Sequence, residues 1–281
     1  MAIVTKTLGE MTSRLPIGVV EGDNLSRSFE LRPWTWATER RIAAARSRMT
    51  EDPNFSLAKL VSLLVASVAR RVGPRDFDGN ASPDDLVAVG KMFMADVMHV
   101  YLCIRLEEIG HRLDVPYKCP VCDYAGQFAG DIRSVEVQCA ERPSDLRRAF
   151  KLDHPFSIRA DQRVGELTLC PPPWVALESV LAGGSTMETL SMDLVLHSVL
   201  KSDATDGPLA EADFGLMRKK DIVRLQGASE LQALGPTLRI SGTCPGKMPS
   251  GKDCGMTFDR PLPWSYDRFF APPSPSPPLS Q

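Results

Sequence analysis

Four of the seven cysteines in this chain of 281 residues stand in two short frames whose spacing suits metal ligation. The first frame is Cys119-Pro120-Val121-Cys122. The second opens with Cys244-Pro245 and closes with Cys254-Gly255, the single middle residue of an ordinary knuckle being expanded into the loop Gly246 to Asp253. Proline after the first cysteine fixes φ, and glycine after the second accepts the positive φ that turns backbone N–H groups towards sulfur. Tetrahedral Zn²⁺ takes four thiolates at ~2.3 Å, and two such turns deliver them in the manner of a zinc ribbon. Lys118, Lys247 and Lys252 flank the frames, where they offset the net negative charge of a four-thiolate zinc centre. With Cys119, Cys122, Cys244 and Cys254 filling every position there is no room for a reactive water, so the expected zinc is structural. One CxxC alone would leave thiol redox chemistry equally open; the second pair favours the metal, with a redox pair or a site that has lost its metal as alternatives.

Little else in the sequence offers chemistry. It contains no Walker loop, GxGxxG, GxSxG or HExxH. His99, His111, His154 and His197 stand singly and read as packed or surface histidines. Asp84-Asp85 and Glu107-Glu108 read as helix charges, and the Asp76-Phe77-Asp78-Gly79-Asn80 stretch as a plain turn, because the EF-hand positions for Gly and Glu hold Ala81 and Val87. Cys103, Cys139 and Cys170 lie among apolar or strand-like neighbours as inert thiols. A formal net charge of -2 and a pI near 6.1 give no global attraction for phosphate backbones, which argues against a nucleic-acid partner. The basic pairs Arg40-Arg41, Arg70-Arg71, Arg147-Arg148 and Lys219-Lys220 sit in counter-charged helical patterns and read as solvated faces. No run of residues is apolar enough for a membrane span, and the odd cysteine count fits a reducing compartment, so the expected location is cytoplasmic.

The elements that must position the cysteines follow from periodicity. A short hairpin is predicted within the stretch Leu15 to Trp34, then helices over residues 35–48 and 55–71 and one long helix over 86–109, with Ser82 as a cap ahead of Pro83 at a first helical position. Asp96 falls inside that helix as a semi-buried carboxylate partnered by an arginine, or as a solvent-facing one. Strands are expected in 127–139, 155–160, 165–170 and 236–244, and helices in the stretches starting at Pro171, Thr186 and Glu211. The fold class is α+β: a helical N-terminal half plus a zinc-ribbon-like small antiparallel sheet with inserted helices. Its expected divisions are an N-terminal strand or hairpin arm (1–33), a helical region (34–114), the ribbon-like α+β region with its helical insertion (115–271) and a disordered Pro/Ser tail (272–281).

The order of short motifs also carries a resemblance. Leu15, Pro16 and Gly18 precede Phe29, Leu31, Arg32 and Pro33; then come Asp96, Leu102, Arg105 and Gly110, leading into Cys119, Pro120 and Cys122. In this the chain resembles the baseplate hub assembly chaperone family of T-even-type contractile phage tails, which also occurs in tail-derived contractile injection systems. The strand pair in 154–170 and a closing aromatic patch of Trp264, Tyr266, Phe269 and Phe270 are similar as well; Ile17 and the expanded second knuckle depart from the pattern. The resemblance implies a non-enzymatic assembly factor or minor component, with no catalytic residues. Its partners would be hub, tube or tape-measure proteins, in the bacterial cytoplasm or in the assembled particle. The closing aromatic patch is expected to be exposed for partner binding. The alternative is a zinc-ribbon nucleic-acid-binding or regulatory protein.

Overall fold

The apolar run from Ala95 to Ile104 builds the centre of the molecule. The computed structural model describes residues 3–51, 57–159, 162–185, 189–205, 209–230, 234–263 and 269–270. Every residue from Ala95 to Arg105 of helix α4 (Met94–Glu108) is buried, the polar Asp96, His99 and Arg105 among them. Around it pack helix α2 (Leu57–Val68), strand β2 (Arg14–Glu21), helix α5 (Trp174–Ala182) and the short strand β12 (Gly235–Pro236).

Strand β2 turns at Gly22 (φ 60°) into β3 (Asn24–Leu31), the expected hairpin. Two further strands, β4 (Ala69–Val72) and β5 (Arg75–Asp76), extend it into an antiparallel sheet in the order β2-β3-β4-β5. The first strand, β1 (Ile3–Thr7), pairs instead with β8 (Glu136–Ala140), whose other edge takes β12. A second hydrophobic cluster, centred on Phe150, Val164, Leu167 and Leu225, belongs to the sheet of β9 (Arg148–Arg159), β10 (Gln162–Leu169) and β11 (Val199–Ser202). Helices α6 (Leu190–His197), α7 (Glu211–Phe214) and α8 (Lys219–Glu230) complete it. Helices and small antiparallel sheets therefore mix along the whole chain, which is the α+β class. No helix among the described residues is long and apolar enough to cross a membrane.

Several elements differ from the periodicity. The long helix expected over 86–109 is two helices, α3 (Pro83–Lys91) and α4, separated by Met92 and Phe93 in extended conformation with ψ near 152° and 141°. The break is held from outside: the Trp174 N–H donates to the Met92 carbonyl at 2.7 Å and the Met94 N–H to the Pro172 carbonyl at 3.0 Å. Tertiary hydrogen bonds thus override a continuous apolar pattern. The same holds where the second predicted helix stops at Val68, Ala69–Val72 joining the sheet, and where Val199–Ser202 leaves the expected helix as β11. Helix α1 (Trp36–Glu51) matches its prediction, and the Ser82 hydroxyl caps α3 by accepting from the Asp85 N–H. The aromatic end is a correction. Phe269 is 1% and Phe270 9% exposed, Phe269 stacking on Tyr101 and Phe270 meeting Trp34 edge-on, so these rings close the core and offer no docking surface. Trp264, Tyr266 and the Pro/Ser tail lie outside the described residues.

Candidate metal centre

Each cysteine frame sits at the tip of a hairpin. Strands β6 (Arg112–Lys118) and β7 (Ala125–Asp131) pair without interruption from Arg112↔Asp131 to Lys118↔Ala125, which leaves Cys119 to Tyr124 as the turn. Strands β13 (Arg239–Thr243) and β14 (Thr257–Pro261) do the same from Arg239↔Pro261 to Thr243↔Thr257. The two turns are built alike. Cys119 N–H donates to the Tyr124 carbonyl and Cys244 N–H to the Met256 carbonyl, both at 2.8 Å. The residue after each second cysteine is left-handed, Asp123 with φ 57° and Gly255 with φ 63°. The expanded loop leaves and returns at one point, because the Cys254 N–H donates to the Gly246 carbonyl at 2.8 Å. Between them Lys247 and Asp253 pair as a small bridge of their own.

This brings Cys119, Cys122, Cys244 and Cys254 together, their sulfurs all within 4.8 Å of one another. Cys119 Sγ lies 3.8 Å from Cys254 Sγ and Cys122 Sγ 3.6 Å from Cys244 Sγ. The edge of a tetrahedron with ~2.3 Å metal–sulfur bonds is about 3.8 Å, so the spacing fits a tetrahedral metal, and all four are free thiols. Cys119 and Cys244 are buried, while Cys122 and Cys254 are part-exposed. Backbone donors point at the sulfurs: Val121 N–H to Cys119 Sγ at 3.4 Å and Gly246 N–H to Cys244 Sγ at 3.3 Å. Position 246 must be glycine, since a Cβ there would stand 2.7 Å from Cys122 Sγ. Burial works against ionising Cys119, yet the neighbouring Tyr117 side chain and the Cys122 and Val121 backbone amides outweigh it and hold this thiol below the usual range. Burial, with the neighbouring sulfurs, pushes Cys244 up to about 12. One thiolate is thus favoured and the next disfavoured by its neighbours, the state that a divalent cation relieves by binding all four as thiolates.

The other residues marked in the sequence do different things. Asp96 is fully buried and its two carboxylate oxygens accept from the Ile17 and Gly18 N–H groups, each at 2.8 Å. Its partners are backbone amides; Arg27 contributes only at longer range. His99 Nε2 donates to the Met11 carbonyl at 2.9 Å and lies 3.6 Å from Cys103 Sγ. His154, single in sequence, meets Asp221 at 3.1 Å in the structure, and Asp221 also accepts the Asp153 and His154 N–H groups, pinning α8 to β9. His111 and His197 are exposed. Asp85 accepts from the Asp78 N–H at 3.2 Å and Glu108 from the Trp34 N–H at 2.8 Å, both as structural braces, and Asp78 turns the 76–80 loop by accepting from Asn80 N–H. Cys103 and Cys139 are buried, and Cys170 is part-exposed. Sequence reasoning missed Tyr117 beside the sulfurs and the Asp221 brace. A tyrosine two residues ahead of a knuckle was the available signal for the first; the second has none, being a contact between distant segments.

Fold and site together define an α+β protein with four cysteines clustered at metal-ligating distances on two hairpin tips. No family model matches the chain, and no curated protein or solved structure matches it.

Proposed function

We propose that this protein is a non-enzymatic assembly factor, a chaperone or minor component, for the baseplate hub and tube of a contractile phage tail or contractile injection system. The observation that carries the reading is that the residues of the family resemblance act as one packing set. Gly18 is held by Asp96; Leu15, Phe29 and Leu102 share the main core; and the Arg32 guanidinium ties the start of the helices to the Phe77 and Asp78 carbonyls. Arg105 is buried under the Phe269 ring and donates to the Arg112 carbonyl at the entry to β6, the strand that leads to Cys119. A motif set made of such braces specifies a scaffold, and the resemblance that this set carries implies an assembly factor.

The ion held by the four cysteines is Zn²⁺ in this reading, because an all-thiolate tetrahedral donor set selects soft or borderline metals over Mg²⁺ and Ca²⁺. Surface features are consistent with protein partners. Trp36 is 77% exposed at the start of α1, and a cleft of about 600 Å³ lined by Val19, Val72, Phe77, Val87 and Met92 opens between the β2–β5 sheet and α3. Its place would be the bacterial cytoplasm during assembly, with retention in the particle as the variant of the same role. The test is co-purification of tagged protein from cells making the particle: hub, tube or tape-measure polypeptides are expected with it, and their absence overturns the reading. Lys118, Lys247 and Lys252 are exposed around the knuckles, which keeps the nucleic-acid-binding or regulatory alternative in view. That alternative predicts salt-sensitive retention of DNA or RNA on filters.

A further inference from the structure

Tyr117 is the last inward-facing residue of β6 before the first knuckle, only 4% exposed. Its ring is clamped: Phe258 stacks on it at 3.9 Å between centroids with the planes 23° apart, and the Arg260 guanidinium lies 5.6 Å from its centroid. Phe128 meets Phe258 edge-on at 4.7 Å and fixes that ring in turn. Tyr117, Cys119 and Cys244 form one buried cluster. Within it the Tyr117 hydroxyl is sealed from solvent and has no hydrogen-bond partner, and the other buried members of the cluster are Cys119 and Cys244. A buried donor left unused is costly, and a thiolate is the acceptor the surroundings provide.

We propose that the Tyr117 hydroxyl donates a hydrogen bond to the metal-bound thiolate of Cys119 or Cys244 and is a positioning residue of the metal centre. This rests on the reading of the four cysteines as a zinc site. The physical argument is one of charge. Four thiolates on a divalent ion carry a net negative charge in a partly dry site, and donors to sulfur spread that charge and slow ligand exchange. Backbone N–H groups supply part of it at Val121 and Gly246, and the tyrosine hydroxyl adds a side-chain donor. Its ring clamp sets the direction of the hydroxyl, so the donor is in place before the metal arrives.

The test compares wild-type protein with Tyr117→Phe, which keeps every ring contact and removes only the hydroxyl, after loading each with Co²⁺ and separately with Zn²⁺. Tyr117→Phe is expected to move the sulfur-to-cobalt charge-transfer band to longer wavelength, because a thiolate without its donor gives up charge more readily. Zinc transfer to a chelator is expected to speed up by roughly tenfold. Phe258→Leu, which loosens the clamp and leaves the hydroxyl, is expected to lower stability with a smaller spectral change. An unchanged band and unchanged release rate in Tyr117→Phe would overturn the proposal. Should Tyr117→Phe fail to fold, wild-type protein loaded with NMR-active cadmium decides: a slowly exchanging tyrosine hydroxyl proton coupled to the metal is expected, and a rapidly exchanging one overturns it. Wild-type protein that takes up no cobalt, zinc or cadmium would instead overturn the metal reading itself.

Discussion

Asp96 and His99 lie about one turn apart on α4 and oppose each other in pH. Burial raises the Asp96 carboxyl from 3.8 to about 7 against the pull of the Ile17 and Gly18 amides. Its contribution to stability is therefore present below pH 4 and is lost as pH rises through about 7. Burial lowers His99 from 6.5 to about 4, so its contribution is present above pH 6.5 and is lost as pH falls through about 4. Each slope is at most about 1.4 kcal/mol per pH unit, and between pH 4 and 6.5 the two cancel. Relative to wild type, Asp96→Asn is expected to gain stability as pH rises through this window, and His99→Gln to lose it. Urea unfolding at a series of pH values checks both signs. Gly18 has φ 91°, and a Cβ there would stand 2.4 Å from the Ser26 carbonyl oxygen. Gly18→Ala should therefore cost about 3 kcal/mol or more in the same measurement, through left-handed strain and the displaced strand.

At the scale of elements, the second knuckle explains how an expanded frame keeps metal geometry. The loop begins and ends on the Cys254 N–H to Gly246 carbonyl bond, so its content is independent of the sulfurs. Deleting Lys247 to Asp253 leaves Cys-Pro-Gly-Cys, the length of the first frame, and the shortened protein is expected to bind metal with wild-type stoichiometry; a loss of metal would show that the loop itself shapes the site. The frames, their turn residues and the Ser82 cap could be read from sequence because each is local: two cysteines, a proline and a glycine specify a knuckle without help. Other features could not. The Met92–Phe93 break answers to Trp174 and Pro172, some eighty residues away, and β4 and β11 leave helical patterns because partner strands claim their amides. Phe269 and Phe270 look like a surface patch in sequence, yet they fill the space beside Tyr101 and Trp34 that the body leaves open.

For the whole molecule, the four-cysteine cluster closes a loop of chain, since Cys122 and Cys244 are 122 positions apart. Leu113, Val115, Ile132, Ile240 and Leu262, from or beside the two hairpins, belong to the same core as α4, so releasing the sulfurs loosens the hairpins and the central helix together. Cys119→Ser is expected to lower the thermal midpoint by on the order of 10 °C, because several kcal/mol of metal binding stabilise only the folded chain. The most direct test is the metal content of protein purified under reducing conditions without chelator. About one zinc per chain is expected in wild type, falling towards zero in Cys119→Ser. Wild-type protein carrying far less than one zinc per chain, yet folded as described, would contradict the four-cysteine metal centre.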